Sequence, residues 1–289
     1  MNIIITGGSG FIGQNIIPIL LKNGHTITLI LRDFDRVKDF SWHSDVDYIE
    51  LDISATDLSL PASIISSQDT LLHLAWPSLN NYHSLSHIES ALPASYFFLK
   101  QMVELGIPRI LVTGTCLEYG NQSGPLLPSA PTFPNTSYGI AKDSLRKYLE
   151  LLQKDHHFVL QWLRLFYLYG PGQRTSSLLS SLDQAIKTNQ PIFDMSEGEQ
   201  LRDYLHVTDA CKQIAAILET SAINETGNIC SGIPISVRKL VENRIKEQGS
   251  SIKLNLGAYP YPEYEPMAFW GTTIKPEIQT SYTNNEFLK

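Results

Sequence analysis

Short apolar runs alternate with longer stretches in which apolar residues recur every three or four positions, and this rhythm governs about the first two thirds of the chain. Asn2–Thr6 predicts a strand and Phe11–Lys22 a helix. Asn23-Gly24 ends that helix, because glycine adopts the left-handed conformation beyond a helix terminus at little cost. His25–Leu31, Tyr48–Leu51, Thr70–Leu74, Arg109–Thr113 and Leu160–Phe166 read as further strands. Ile110-Leu111-Val112 is apolar without alternation, as in a parallel strand covered by helices on both faces. Strands alternating with helices predict an α/β fold with a doubly wound parallel sheet. Pro93 interrupts the helical spacing of His87–Leu105, so a break is expected near Glu89–Leu92. After Gly170 the rhythm changes: Pro171–Glu199 is polar around a helical stretch at Leu178–Lys187, and the Tyr- and Pro-rich tail from Gly257 reads as irregular backbone.

Composition narrows the class. Apolar residues make up 43% of the 289 residues, enough for a sizeable core, and charged residues only 18%, too few for a disordered chain. The net charge of −7 with no basic run makes nucleic acid a poor candidate partner. Cys116, Cys211 and Cys230 are odd in number and widely spaced, offer neither a disulfide framework nor a zinc pattern, and fit a reducing compartment. No apolar stretch approaches the roughly 20 residues of a membrane span, and the N-terminal stretch has no basic leader region. A cytoplasmic protein without a membrane partner is therefore expected.

Between the first strand and helix lies Gly7-Gly8-Ser9-Gly10-Phe11-Ile12-Gly13. Gly7 permits a tight turn, Gly10 lets backbone approach a pyrophosphate, and Gly13 lets helix and strand pack closely. The helix start at Phe11 and Ile12 offers N–H groups and partial positive charge to phosphates. The alternative is a glycine-rich turn without a ligand. The context favours a Rossmann-type dinucleotide-binding domain over 1–170, to which some later segments return, with a smaller, mainly substrate-binding lobe over 171–289. Arg32, after the second strand, stands where an NADP 2′-phosphate would lie, so NADP is preferred, while Asp33 leaves NAD open. Asp52, followed by Ile53, is placed to accept from an adenine amino group, or else to shape a turn.

Tyr138 and Lys142 stand at i and i+4, on one face of a helix. A free phenol has a pKa of about 10. A nearby cation lowers it toward the range that proton transfer needs. A surface pair is the alternative. Thr115, just after the fifth strand, joins them, since the carboxyl ends of parallel strands face the ligand crevice.

Taken together, Thr6–Gly13, Thr113–Gly120, the Tyr138/Lys142 pair, Arg164–Pro171 and Arg202–Val207 resemble the extended short-chain dehydrogenase/reductase family, in its branch acting on nucleoside-diphosphate sugars. His73-Leu74-Ala75-Trp76-Pro77 with Asn81-Tyr82 is further similar to small reductases of 4-keto-6-deoxy sugar nucleotides. The resemblance implies that Tyr138 donates a proton to a keto oxygen, that Lys142 holds the ribose and lowers the phenol pKa, and that Thr115 orients the substrate oxygen. It implies that Gly7, Gly10 and Gly13 cradle the dinucleotide, with Leu74 and Ala75 lining the nicotinamide side. Trp76 and Tyr167 would contact substrate. Arg202 would clamp its pyrophosphate, as a guanidinium fork suits; a structural ion pair with a lobe carboxylate is the alternative. A homodimer through a helical bundle is implied as well.

Departures from the family pattern refine this. Its dehydratases carry an Asp-Glu pair where this chain has Cys116 and Leu117, which argues against dehydration, and Glu118 comes one place too late. Tyr167 replaces a common Asn, and Pro262–Glu265 lacks a second phosphate arginine. Cys116 reads as a small apolar filler, His156-His157 as surface residues and His73 as a core histidine, so no metal site is expected. The tail is expected to cover the substrate crevice. The resulting expectation is an NADPH-dependent reductase of the C4 keto group of a dTDP-, CDP- or GDP-4-keto-6-deoxyhexose, serving deoxysugar or surface-polysaccharide synthesis. The alternatives are an NAD-dependent nucleotide-sugar 4-epimerase and a non-enzymatic NADP-sensing regulator.

Overall fold

The protein is described by a computed structural model over residues 1–55, 58, 60, 64–65, 69–220 and 224–272. Five parallel strands, β1 (Asn2–Thr6), β2 (Thr26–Leu31), β3 (Asp47–Glu50), β4 (Asp69–His73) and β5 (Arg109–Thr115), are joined by Val159–Leu165 and Glu225–Ile229 in one seven-stranded sheet. From one edge the order is Glu225–Ile229, Val159–Leu165, β5, β4, β1, β2, β3. The chain runs outward from β1 to β3 and then returns to β4 on the other side of β1. That reversal opens a crevice at the carboxyl ends of β1 and β4, where such sheets bind ligands.

Helices cover both faces. The helix α1 (Phe11–Lys22) packs with Val207–Glu219 on one side, burying Ile16, Ile17 and Leu20 completely. Burying each such side chain contributes roughly 1.5–3 kcal/mol. On the other side α2 (Leu92–Glu104) and α3 (Ser137–Leu152) bury Phe98, Leu99, Met102, Leu145 and Leu149. A smaller core forms between Leu178–Lys187 and Val237–Glu247, around Leu182, Leu240 and Val241. Among the described residues no helix is long and apolar enough to cross a membrane.

The doubly wound parallel sheet agrees with the prediction. The break expected near Glu89–Leu92 is present: a π-helical turn, His87–Ala91, hands over to α2 at Leu92. Pro93 thus sits in the first turn, where its missing N–H costs no helical bond. β5 runs two residues beyond its predicted end, because Gly114 and Thr115 stay paired with Arg164 and Leu165. Two elements differ from expectation. Glu225–Ile229 is an edge strand that its polar sequence did not announce, paired in register with Gln161–Leu165. In the tail, Phe269–Gly271 is not irregular but pairs with Gly124–Leu126.

Candidate active site

The glycine loop turns at Gly7, whose φ is +77°; a Cβ there would lie 2.7 Å from the Ala75 nitrogen. A Cβ at Gly13 would lie 2.4 Å from the Gly7 carbonyl oxygen and 2.5 Å from that of Gly8. Gly10 caps α1 in extended conformation with no side-chain cap, and the first turn carries no acid. The N–H groups at Phe11 and Ile12 therefore meet no competing anion from their own helix, and Gly13 allows helix and strand to approach closely. This cradle fits a dinucleotide pyrophosphate. Leu74, Ala75 and Trp76 follow β4 across the crevice and are partly buried.

At the adenosine end, Arg32 is exposed just after β2, and the Asp33 carboxylate accepts from the Asp35 N–H at 2.9 Å. Asp52, followed by the half-buried Ile53, accepts from the Ser54 hydroxyl at 2.6 Å and the Ser54 N–H at 2.9 Å. These bonds hold its carboxyl below the usual range, with Arg32 adding to the effect. Asp52 therefore shapes a turn, as the sequence allowed.

Across the crevice three predicted groups converge. Thr115 ends β5, and its hydroxyl oxygen accepts from the Leu117 N–H at 3.3 Å. Tyr138 opens α3, whose cap Thr136 accepts from the Gly139 N–H at 3.0 Å. The Thr115 side chain lies close enough to the Tyr138 phenol to favour its ionised form. One turn later the Lys142 ammonium donates to the Thr113 carbonyl at 2.8 Å and lies 4.0 Å from the Trp76 ring centroid. Tyr82 stacks on Tyr138 with centroids 5.4 Å apart, and its carbonyl accepts from the Tyr138 N–H at 2.9 Å.

One electrostatic expectation is corrected. Lys142 was predicted to lower the phenol pKa. Burial instead raises Tyr138 well above its ordinary value, Tyr82, Glu118 and Cys116 add to the rise, and the nearby Thr115 side chain opposes it. Burial also pushes the Lys142 ammonium down to about 7, against the pull of the Glu118 carboxylate. Both side chains are almost completely enclosed, and in a low-dielectric setting desolvation outweighs their mutual influence. The protein's own groups thus keep the phenol protonated.

Beneath this set lies a buried hub that the sequence reading missed. Glu118 is 0% exposed and accepts from the Thr115 N–H at 2.8 Å, the Trp162 indole N–H at 3.0 Å and the Arg164 Nε at 2.7 Å. Burial pushes its carboxyl up and Arg164 draws it down. The signal was local: Thr115-Cys116-Leu117-Glu118 has capping-box spacing and forms one around the 3₁₀ turn Cys116–Tyr119. Cys116 is buried with its thiol pushed up, the character of an apolar filler. His73 is buried, bonds Thr6 Oγ1 at 2.8 Å and is held down to about 3 by burial, a neutral core histidine. His157 is exposed, and among the described residues no group of three or more His, Cys, Asp or Glu could hold a metal.

On the substrate side Arg202 is engaged by a carboxylate of the tail. It is 3% exposed, and its Nε and Nη2 donate to Glu265 Oε2 at 3.2 and 2.9 Å. Its Nη1 donates to the carbonyls of Leu201 and Met267 at 2.8 and 3.3 Å. The ion pair with a lobe carboxylate, kept as the alternative, is the arrangement present. Tyr167 donates to the other Glu265 oxygen. Tyr264 meets Tyr82 and His83 edge-on, with centroids at 6.4 and 5.1 Å. The tail therefore covers the crevice, as expected, and Glu265 within it was not foreseen. A cavity of about 540 Å³ lies elsewhere, between Tyr169, His206, Asp183 and Arg244, while the space at Tyr138 is closed over by Tyr82 and the tail.

Residues 3–230 match the model of the NAD dependent epimerase/dehydratase family. The chain is 35% identical to dTDP-6-deoxy-L-talose 4-dehydrogenase (NAD(+)) of Aggregatibacter actinomycetemcomitans, over 94% of this chain and 99% of that protein. It is 27% identical to dTDP-4-dehydro-6-deoxyglucose reductase of Escherichia coli, over 83% and 79%. A crystal structure of UDP-glucuronic acid 4-epimerase from Bacillus cereus in complex with UDP-glucuronic acid and NAD shares the fold, with a TM-score of 0.83 at 24% identity, covering 100% of this chain and 95% of that one. With the glycine cradle and the converging Thr, Tyr and Lys, these likenesses establish that the chain belongs to the NAD dependent epimerase/dehydratase family, whose NAD(P)-dependent enzymes act on CH–OH groups.

Proposed function

We propose that this protein reduces the C4 keto group of a nucleoside-diphosphate 4-keto-6-deoxyhexose at the expense of NADPH. The observation that carries this is the convergence of the buried Thr115, Tyr138 and Lys142 side chains at the crevice, with the uncharged Cys116 and Leu117 beside them where a dehydratase keeps two acids. Reduced nicotinamide, when bound, supplies hydride to the carbonyl carbon. Tyr138 gives its proton to the oxygen, and the phenolate recovers one from solvent. The Thr115 hydroxyl oxygen already accepts from Leu117, so its hydrogen is available to the developing alkoxide. Lys142 lies one turn from the phenol, held by its bond to the Thr113 carbonyl, where it would bind the cofactor ribose. Holding the two reactants side by side supplies much of the rate gain. The names of the two curated relatives support 4-keto-6-deoxy sugar chemistry.

The case for NADPH rests on Arg32, exposed at the end of β2, while Asp33 is engaged in capping its own turn. A second reading, NADH, is favoured by the talose dehydrogenase relative, which is named for NAD(+). Purified protein mixed with NADPH or NADH and a dTDP-, CDP- or GDP-4-keto-6-deoxy sugar is expected to lose absorbance at the reduced-nicotinamide band. No oxidation with any of the three sugars refutes the reductase. Faster oxidation of NADH overturns the cofactor assignment alone. Tightly held NAD(H), released only on denaturation and never consumed, would point to the 4-epimerase.

A homodimer is proposed through α2 and α3. Phe97, Tyr148 and Leu151 are 58, 44 and 54% exposed on these two helices, which touch through Tyr96 and Tyr148. Sedimentation is expected to give twice the 32.4 kDa chain mass, and Phe97→Glu to give the monomer. A wild-type monomer at micromolar concentration would refute the pairing.

A further inference from the structure

Residues 258–267 cross the mouth of the crevice, tied down at both ends. Ala258 N–H donates to the Met195 carbonyl at 2.9 Å, and the Met267 carbonyl accepts from Leu201 N–H at 2.8 Å. Beyond Met267 the chain enters the strand pairing with Gly124–Leu126. Between the two ties Pro260, Pro262 and Pro266 have no N–H to give. The span is held down by Tyr264, against Tyr82, His83 and the Asn135 amide, and by Glu265, on Arg202 and Tyr167. Closing it leaves the Tyr261 hydroxyl buried without a partner, so closure has a standing cost.

Arg202 is nearly saturated in this state. The edge formed by Nε and Nη2, the one that grips an anion two-pronged, is held by Glu265, and Nη1 is spent on two backbone carbonyls. A diphosphate reaches that edge only by taking the place of the carboxylate. The same strap, through Tyr264, presses on Tyr82, which in turn covers the Tyr138 phenol. Anion exchange at Arg202 and access to the phenol therefore involve one segment.

We propose that Glu265 is a specificity-determining residue that occupies the Arg202 anion site as an internal competitor. A nucleoside diphosphate binds by displacing the Glu265 carboxylate, which frees strap 258–267 to admit the sugar beside Tyr138. Ligands without a diphosphate cannot make this exchange and are excluded. The inference rests on the nucleotide-sugar reading and deepens it. Only the fraction of molecules with the strap released binds, so apparent affinity scales with that fraction.

The test uses dTDP, UDP, GDP and CDP as probes, by calorimetry on the full chain. Glu265→Gln keeps the shape and an acceptor oxygen but loses the charge, and a neutral hydrogen bond is about half as strong as a charge-assisted one. The variant is expected to bind the preferred diphosphate about tenfold more tightly than wild type. Equal or weaker binding by Glu265→Gln overturns the competitor role and leaves the function standing. No binding of any of the four to either protein overturns this proposal and the nucleotide-sugar reading together. Should Glu265→Gln fail to fold, Tyr264→Ala decides, because it releases the strap without touching Arg202. Tighter binding by Tyr264→Ala supports the latch, and unchanged or weaker binding refutes it.

Discussion

Replacing Tyr138 by Phe is expected to lower kcat about 10³-fold, within the usual range for removing a positioned proton donor, or roughly 4 kcal/mol of barrier. The substitution is conservative in every other respect. The ring keeps its stacking on Tyr82, and the backbone N–H keeps its bond to the Tyr82 carbonyl. Thr115 keeps its bond from the Leu117 N–H. Thermal stabilisation by NADPH and affinity for a nucleoside diphosphate are therefore expected to stay within about twofold of wild type, since neither depends on the phenolic hydrogen. The discriminating measurement is kcat against KM. A loss confined to kcat identifies an interaction made in the transition state. A fall of less than tenfold would remove Tyr138 from the role of acid, and a rise in KM alone would make it a binding residue.

Glu118→Ala carries the largest expected effect on stability. It leaves the Arg164 guanidinium, 2% exposed, without its carboxylate. Breaking a buried pair from one side costs about 3–5 kcal/mol, because the remaining charge is uncompensated. At a few degrees per kcal/mol for a chain of this size, Tm should fall on the order of 10 °C. Activity should fall too, since the same carboxylate holds the Thr115 N–H at 2.8 Å. If the orphaned charge is the cause, Glu118→Leu with Arg164→Met recovers much of the lost Tm while kcat stays low. A shift below about 2 °C in the single variant would show that water or a local rearrangement solvates Arg164, and the hub would carry little weight.

The legible part of this protein is the part built from neighbours in sequence. Apolar runs announced the strands, Pro93 announced the break before α2, and the glycines at 7 and 13 announced a turn that admits no Cβ. Tyr138 and Lys142 share a helix face because four residues make about one turn, and Thr115 follows from its place at the end of a parallel strand. Each inference needs only a short window of chain. Where the window failed, a distant partner had decided. Glu225–Ile229 is polar, and it became a strand because the edge of Val159–Leu165 was there to pair with it.

Two decisions at the site belong to the tertiary structure alone. Arg202 and Glu265 are distant in sequence, and no local spacing says that the carboxylate returns to the guanidinium. The sign of the electrostatics at Tyr138 was likewise out of reach. From sequence the nearby ammonium dominates and the phenol is acidified; in the fold both groups are enclosed, and desolvation raises one and lowers the other. Local propensity and side-chain period are short-range properties, carried by the chain wherever it goes. Burial and long-range pairing exist only once distant segments have met.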